Sequence, residues 1–323
     1  MVWRVLVLAG GASAERDVSL ESGRNVAAAL REGGHQVDLL DSIELTEGRL
    51  DPERWDVVFP VVHGTGGEDG ELQRTLAASG MLYIGSSAEA SELTFDKCRT
   101  NRFLADHGIV VPPGCVLSVE DSTEVHLEMI HRILRTCPRI SERPQWVVKP
   151  ARQGSSIGVS MIADERRLPE AIELAFQYDR NCLVEEYIGG REVTVPVIDG
   201  QTYPAIEIQP ATEWYDYTAK YSDDRTQYRI LPEEDCRPLH EIARRACEVC
   251  GVTGMARVDF RVAEDGRRFV LEINTVPGMT THSLVPMSAR AAGMSLCELC
   301  ERLILHRLCG PNATGEGSTS SGE

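Results

Sequence analysis

The sequence predicts an α/β protein divided into three domains, and three observations support this prediction. Apolar strand patterns alternate with amphipathic helix patterns over the first part of the chain. Polar, glycine-bearing loops follow several of the predicted strands. The length of 323 residues is sufficient for two or three compact units, each with its own core.

The first predicted domain covers residues 1–92. A buried strand at VWRVLVLAGG precedes an amphipathic helix, VSLESGRNVAAALREGG, and the strands HQVDLLD and DVVFPVVHG follow. The loops GGASAERD and HGTGGEDGE each follow a strand, and such loops carry the ligand contacts in open α/β sheets. Glu15 and His63 are therefore candidates to contact a small polar substrate. For His63 alone, a loop histidine hydrogen-bonded to the backbone is the alternative.

The second predicted domain covers residues 93–190. A helix at LTFDKCRTNRFLADHG carries Lys97 near its start, and a later strand presents Lys149. The glycine-serine loop 154–158 then predicts a phosphate contact, because glycine permits close approach of backbone N–H groups. It does not match the P-loop pattern. The segment CLVEEYIGGREVTVPVI predicts an edge strand, in which 185–188 could lie against a nucleotide base with Glu192 near the ribose.

The third predicted domain covers residues 191–309, and the tail 310–323 is low in complexity and expected to be disordered. The segment QPATEWYDYTAKYSDDRTQYRILPEED is too polar for a core strand and too aromatic for a linker. It predicts a lid. Its notable members are Trp214, Tyr215, Tyr217, Lys220 and Tyr221.

A hairpin within residues 254–284 organises the third domain. Apolar residues alternate along 256–260 and again along 269–273, and a turn at 264–266 joins the two strands. Residues two apart share a face of a strand, so Arg257 and Asp259 point the same way, as do Glu272 and Asn274. Two carboxylates and an amide suit Mg²⁺ or Mn²⁺. A surface hairpin with solvated charges is the alternative interpretation.

Charge and hydropathy restrict the possible partners. The chain has 33 Lys and Arg against 50 Asp and Glu, and its net charge of −17 disfavours nucleic acid or an anionic membrane as a partner. The N-terminal apolar run, Val5 to Ala9, is too short for a signal peptide core or a membrane span. We therefore expect a cytoplasmic protein.

The chain contains ten cysteines, which are expected to be reduced thiols because no secretion signal is evident. Two pairs have the CxxC spacing, Cys247 with Cys250 and Cys297 with Cys300. Structural zinc is one interpretation of these pairs. Both pairs lie in helical patterns, where an interval of three residues marks one apolar face, so small buried thiols are the preferred interpretation.

Eight segments together resemble one enzyme family, the D-alanine–D-alanine ligases, which are ATP-grasp enzymes of peptidoglycan synthesis. The segments occur in the order and spacing of that family, from about Val5 to Leu308. They are GGASAERDVSLESG, HGTGGEDGELQ, FDKCRTNRFLADHGIVVPP, VVKPARQGSSIGVS, LVEEYIGGREVTV, EWYDYTAKY, ARVDF and LEINTVPGMTTHSLVP.

The resemblance implies a three-domain ATP-grasp fold: an N-terminal open parallel α/β domain, then two α+β domains that sandwich ATP. It also implies a role for each matching residue. The catalytic set is Glu15, Ser155, Tyr221, Arg257 and Gly278, and the substrate-binding set is His63, Ser283 and Leu284. The implied ATP-binding residues are Lys97, Lys149, Ser155, Ser156, Glu185, Glu186, Ile188, Glu192 and Lys220. Two Mg²⁺ or Mn²⁺ ions are expected on Asp259, Glu272 and Asn274.

The activity that the resemblance implies is ATP-dependent ligation of two D-alanine molecules through an acyl phosphate, with release of ADP and phosphate. A homodimer is also expected. The alternatives are a ligase of the same fold that accepts D-lactate or D-serine, and a non-catalytic nucleotide-binding sensor. The Lys220-Tyr221 pair favours the dipeptide product, and the intact set of metal ligands and Arg257 disfavours the sensor.

Overall fold

A computed structural model of the chain describes residues 1–136, 146–210 and 225–310. The part of the predicted lid that contains Lys220 and Tyr221, and the tail from residue 311 onwards, lie outside the described residues. Over the described ranges the strands form three sheets. No helix in these ranges combines the length and the apolar composition needed to cross a membrane.

The first sheet consists of three parallel strands in the order β2-β1-β3. The strands and helices of this region follow the predicted alternation. Helix α1 ends at Glu32 with Gly33 as its C-cap, as the glycine pair at its end predicts. Because the strands are parallel, the loops after β1 and β3 open at the same edge of the sheet. The bounds are β1 Arg4–Ala9, α1 Arg16–Glu32, β2 Gln36–Asp41, β3 Val57–Pro60, α2 Glu71–Ala78 and α3 Ala88–Phe95.

The single helix predicted over LTFDKCRTNRFLADHG is wrong at its start. Helix α3 ends at Phe95, and a separate helix, α4, covers Lys97–Asp106. Between them Asp96 has an extended conformation, and its side chain accepts a hydrogen bond from the Arg99 N–H. Aspartate is a favoured N-cap because its carboxylate satisfies a free amide of the first turn. Lys97 is therefore the first residue of α4.

The second sheet is antiparallel and has the order β4-β7-β5-β6. The single edge strand predicted over CLVEEYIGGREVTVPVI is instead two strands: Arg191–Ile198, which is internal in the third sheet, and β7, which is internal in this one. Strand β7 lies between β5 and β4, a strand directly after the VVPPG turn that the sequence pattern did not predict. Helices α5 and α6 cover one face around Trp146 and Val148. The bounds are β4 Gly114–Ser118, α5 Thr123–Thr136, β5 Trp146–Pro150, β6 Ser160–Ile162, α6 Leu168–Phe176 and β7 Asn181–Glu186.

The third sheet has the order β11-β10-β8-β12-β13, and the short β9 pairs with β8. Helix α7 packs on one face, against Val258 and Phe260. The opposite face carries the polar residues of the hairpin. The bounds are β8 Arg191–Ile198, β9 Gln201–Thr202, β10 Ile206–Gln209, β11 Gln227–Ile230, α7 Glu233–Val249, β12 Met255–Val262, β13 Arg268–Asn274, α8 Leu284–Ala291 and α9 Leu296–Cys309.

The last helix, α9, returns to the first sheet. Its Leu303 and Ile304 are buried in one cluster with Val26 and Leu30 of α1. Full burial of such a side chain stabilises the fold by about 1.5–3 kcal/mol. The first helix and the last described helix are therefore held together by an apolar core. The boundaries of the three predicted domains remain predictions.

Both CxxC pairs lie at helices, as predicted. Cys247 is in the last turn of α7 and Cys250 is its C-cap, while Cys297 and Cys300 are in α9. Burial raises the pKa of Cys247 and of Cys250 to about 12. Protonated thiols of this kind pack as small apolar side chains and are poor metal ligands.

Candidate active site

The polar face of the third sheet carries the residues predicted to bind metal. Asp259 on β12 lies directly opposite Glu272 on β13, and Arg257 lies opposite Asn274. This register agrees with the shared strand faces that the alternation predicts. On the other side of β12, the register sets Asp259 opposite Thr194 of β8. Carboxylates from neighbouring strands therefore form one cross-strand row.

Each carboxylate of this row lies beside a cationic side chain. Arg257 donates two hydrogen bonds to Asp259, from Nε to Oδ1 at 2.8 Å and from Nη2 to Oδ2 at 2.7 Å. The Lys97 ammonium lies 3.4 Å from Oε2 of Glu272. It also donates to the backbone carbonyl of Gln153 at 2.6 Å. These acids are thus placed where positive charge is already concentrated.

The serine loop between β5 and β6 has an uncommon backbone. Ser155 and Ser156 both have left-handed conformations, with φ of 50° and 61°. Such conformations are unfavourable for L-residues with a side chain and occur most often at functional sites. The Ser155 hydroxyl donates a hydrogen bond to the Glu15 carboxylate. Two members of the implied catalytic set are therefore in contact, whereas Tyr221, another member, lies outside the described residues.

Glu15 is enclosed by two glycines. A Cβ atom at Gly154 would lie 2.5 Å from Oε2 of Glu15, and one at Gly64 would lie 2.8 Å from the same atom. Any other residue at position 154 would therefore press on the carboxylate. The Glu15 loop is held in turn by Asp41, which accepts hydrogen bonds from the Gly11 N–H and from Arg16.

His63 links the first sheet to the loop after β13. Its Nδ1 lies 2.9 Å from the Val276 carbonyl oxygen, which can only accept, so Nδ1 carries the proton. Nε2 then accepts from the Ser22 hydroxyl at 3.1 Å, and that hydroxyl oxygen accepts from the Met279 N–H. Both ring nitrogens are engaged with the protein, as in the alternative interpretation of this residue. The predicted D-alanine contact of His63 remains a prediction.

A buried ion pair lies at the predicted nucleotide side of the site. The Lys149 ammonium is 2.6 Å from Oε1 of Glu185, and both side chains are less than a tenth exposed. Asn101 donates to the other oxygen of Glu185 at 3.4 Å. Nearby, the Arg261 guanidinium lies 3.2 Å from Oε2 of Glu192.

Every predicted site residue that the structure describes lines at least one of two adjoining cavities. Residues predicted to bind nucleotide line the first cavity, and residues predicted to bind substrate line the second. Those lining only the first are Lys149, Ser156, Glu185, Glu186, Ile188, Glu192 and Asp259. Those lining only the second are Glu15, His63, Asn274, Gly278, Ser283 and Leu284. The residues that line both are Lys97, Gly154, Ser155, Arg257 and Glu272.

Glu68, Arg261 and Asn101 are among the residues at the site that the sequence analysis does not predict. Glu68 lines the second cavity, with Oε1 3.7 Å from Nδ1 of His63. Glu68 belongs to the HGTGGEDGE loop, like His63. The position of this loop after a strand indicates ligand contacts, so the sequence pattern could have identified Glu68. Arg261 lines the first cavity. It lies two residues after Asp259, so it shares a strand face with Arg257 and Asp259. Asn101 on α4 carries no local signal, because its contact with Glu185 depends on long-range packing.

Comparison with known proteins gives one answer. The sequence profile of the D-ala D-ala ligase C-terminus matches residues 103–305, and that of the N-terminus matches residues 41–86. A D-alanine–D-alanine ligase of Syntrophotalea carbinolica is 40% identical over 304 residues, which are 93% of this chain and 95% of that protein. The chain belongs to the D-alanine–D-alanine ligase family.

Other members of the D-alanine–D-alanine ligase family are similar over nearly the full length. The D-alanine–D-alanine ligase B of Chromobacterium violaceum is 42% identical over 305 residues, 93% of this chain and 96% of that protein. The crystal structure of the Bacillus anthracis D-alanine–D-alanine ligase complexed with ATP superimposes with a TM-score of 0.80 at 29% identity. It covers 97% of this chain and 100% of its own. The three sheets described above form the predicted ATP-grasp fold.

Overall structure does not distinguish the acceptor within this ligase family. The D-Ala:D-Ser ligase of Enterococcus faecalis superimposes with a TM-score of 0.78 at 25% identity, over 94% of this chain and 99% of its own. Sequence similarity is more informative, because the relatives at 40–42% identity are named D-alanine–D-alanine ligases.

Proposed function

We propose that this chain joins two molecules of D-alanine into D-alanyl-D-alanine for peptidoglycan precursor synthesis, with cleavage of ATP to ADP and phosphate. The observation that carries the proposal is the shared wall of the two cavities. Lys97, Ser155, Arg257 and Glu272 face both the predicted nucleotide side and the predicted substrate side. A phosphoryl group and an amino acid could therefore meet there.

In the first step, a D-alanine carboxylate attacks the γ-phosphorus of ATP to give an acyl phosphate and ADP. An anion then approaches a polyanion, and one pair of unit charges at 4 Å repels by about 4 kcal/mol at an effective dielectric of about 20. Lys97, Lys149 and Arg257 line the first cavity and offset this repulsion. The carboxylate of Glu15, which lines the second cavity, suits the ammonium group of the same D-alanine.

In the second step, the amine of the other D-alanine attacks the acyl carbon. The C–N bond forms, the bond from carbon to the phosphate oxygen breaks, and phosphate leaves with the electron pair while the amine loses a proton. The developing oxyanion is stabilised by Arg257 and by the Gly278 N–H, both of which line the second cavity. The roles predicted for Lys220 and Tyr221 belong to residues outside the described ranges.

The residues of the cross-strand row fit divalent cations. Asp259 and Glu272 lie opposite each other, Asn274 lies on the same face of β13, and all three offer the oxygen ligands that hard ions prefer. Asp259, Glu272 and Asn274 would hold two Mg²⁺ or Mn²⁺ ions. When bound, such ions neutralise phosphate charge and polarise the phosphoryl oxygens.

The test is an assay of phosphate release with ATP, Mg²⁺ and D-alanine, with the product identified by mass spectrometry. We expect phosphate release that requires D-alanine and yields the dipeptide, with L-alanine as the inactive control. A preference for D-lactate or D-serine in mixtures with D-alanine would contradict the acceptor assignment. Nucleotide binding without D-alanine-dependent turnover would instead support the sensor alternative.

Two finer points belong to the same proposal. ATP is supplied in the cytoplasm, which supports a cytoplasmic location for an ATP-consuming ligase.

The homodimer implied by the family resemblance remains a prediction, to be checked by light scattering in solution.

A further inference from the structure

Thr194 is a fully buried residue of β8 that contacts the candidate metal site from behind. Its relative exposure is 0%, and its hydroxyl donates a hydrogen bond of 2.6 Å to Oδ1 of Asp259. The backbone register places Thr194 directly opposite Asp259 on one side and Ile206 on the other. Thr194 lines neither of the two cavities.

The hydroxyl of Thr194 has a choice of acceptors. It has one proton, and the Val258 carbonyl oxygen, at 3.5 Å, is the weaker alternative to the carboxylate of Asp259. Hydrogen bonds to an ionised acceptor are shorter and stronger than neutral ones, which agrees with the 2.6 Å distance. Burial of a hydroxyl is unfavourable without such a partner. Valine has the same shape and would suit the apolar neighbour Ile206, so the hydroxyl itself requires a reason.

Asp259 has two side-chain donors within the described part of the chain, Arg257 and Thr194. Arg257 lies at the wall shared by both cavities, and the proposed reaction requires its charge at the phosphoryl group and the oxyanion. Thr194 is fully buried, so its hydrogen bond to Asp259 does not compete with contacts to substrate. Oδ1 of Asp259 accepts from Thr194 and from Nε of Arg257, whereas Oδ2 accepts from Nη2 of Arg257 and keeps a second lone pair for a cation.

We propose that Thr194 is a positioning residue that orients Asp259 for binding of the divalent cation. The inference rests on the proposed function only in that Asp259 is a metal ligand. Partners that hold a ligating side chain contribute about 10- to 100-fold to metal affinity in other proteins. Thr194 acts through Asp259 and does not itself touch substrate.

The test uses Mn²⁺ as the probe, with binding to the full chain in the presence of ADP measured by electron paramagnetic resonance. We expect Thr194→Val to weaken Mn²⁺ binding by about tenfold or more, and Thr194→Ser to restore it to within about twofold, because serine keeps the hydroxyl. The Mg²⁺ concentration needed for half-maximal turnover should rise in parallel, while the KM for D-alanine stays near its original value. The melting temperature of each variant reports whether it is folded.

The matched control is Thr100→Val. Thr100 is also buried, but the acceptors within reach of its single hydroxyl proton are the backbone carbonyls of Leu93 and Asp96 rather than a carboxylate. We expect unchanged Mn²⁺ binding in this variant. If Thr194→Val bound Mn²⁺ as tightly as the original chain while Asp259→Asn lost binding, the role of Thr194 would be overturned and Asp259 would remain a ligand. Original affinity in both variants would show that Asp259 is not a ligand, and both assignments would fall.

Discussion

The Ser155 hydroxyl donates a hydrogen bond to the Glu15 carboxylate across 140 positions of sequence. This contact joins the loop after β1 to the loop after β5, and its Ser155 side lines both cavities. Gly154 permits the approach, because a side chain there would occupy the position of the Glu15 carboxylate. The first prediction follows from this geometry.

Gly154→Ala should impair activity with little effect on stability. Its Cβ would lie 2.5 Å from Oε2 of Glu15, so the flexible carboxylate must move and lose its alignment. A displacement of about 1 Å at a catalytic group can reduce turnover by about a hundredfold. Steady-state kinetics with D-alanine and a thermal melt measure both effects. The matched control is Gly48→Ala, an exposed glycine with open space around its Cβ position. Equal turnover in the two variants would contradict the steric argument.

Lys149→Met should destabilise the protein even without ATP. The change leaves the Glu185 carboxylate buried without its cation, and breaking a buried pair in this way costs about 3–5 kcal/mol. The double change Lys149→Met with Glu185→Met should recover most of the free energy of unfolding, measured in urea, but not ATP binding. Arg180→Met removes one partner of an exposed ion pair with Glu120 and serves as the control. If Lys149→Met were as stable as this control, the pair would not be buried as described.

Glu272→Gln should reduce turnover far more than nucleotide binding. The amide keeps the shape of the side chain but removes the charge opposite Asp259 and beside Lys97. Loss of one electrostatic contact to a reacting group typically costs about 10²–10³ in turnover. Turnover and ADP affinity should be measured at the same Mg²⁺ concentration, with the exposed Glu128→Gln on α5 as the control. Unchanged turnover would rule out a metal-binding role for Glu272.

Asp199 should make stability depend on pH. It has a left-handed conformation after β8, it lies 3.0 Å from Nδ1 of His306, and burial raises its pKa to about 7, only partly offset by Arg302. An unfolded aspartate titrates near pH 4, so between about pH 4 and 7 the folded state binds more protons and loses stability as the pH rises.

The measurement is the free energy of unfolding of the original chain and of Asp199→Asn, at pH 5 and pH 8. Asparagine tolerates the same backbone conformation and does not titrate. Relative to the variant, the original chain should lose about 2–3 kcal/mol over this interval. Parallel pH profiles for the two proteins would show that Asp199 titrates normally.

The alternation of apolar and polar residues predicts structure correctly where the contacts join residues close in sequence. The period of two along residues 255–274 predicted which side chains share a face, and the observed register of Asp259 with Glu272 agrees. The pattern failed where a partner comes from elsewhere in the chain. The pattern places β7 at an edge, because nothing in its own sequence reveals its pairing with β4. The helical pattern runs through Asp96, because the capping role of this residue depends on a single hydrogen bond.

The sequence by itself determined the family, the alternation of strands and helices at the N-terminus, and many of the candidate residues that line the two cavities, because each depends on residue type, spacing and order. Only the tertiary structure decided which of these residues touch. The pairing of Lys149 with Glu185, the engagement of both His63 nitrogens and the hydrogen bond from Thr194 to Asp259 all join separate elements. Such contacts form when apolar cores bring distant segments together, and a periodic pattern within one segment does not specify them.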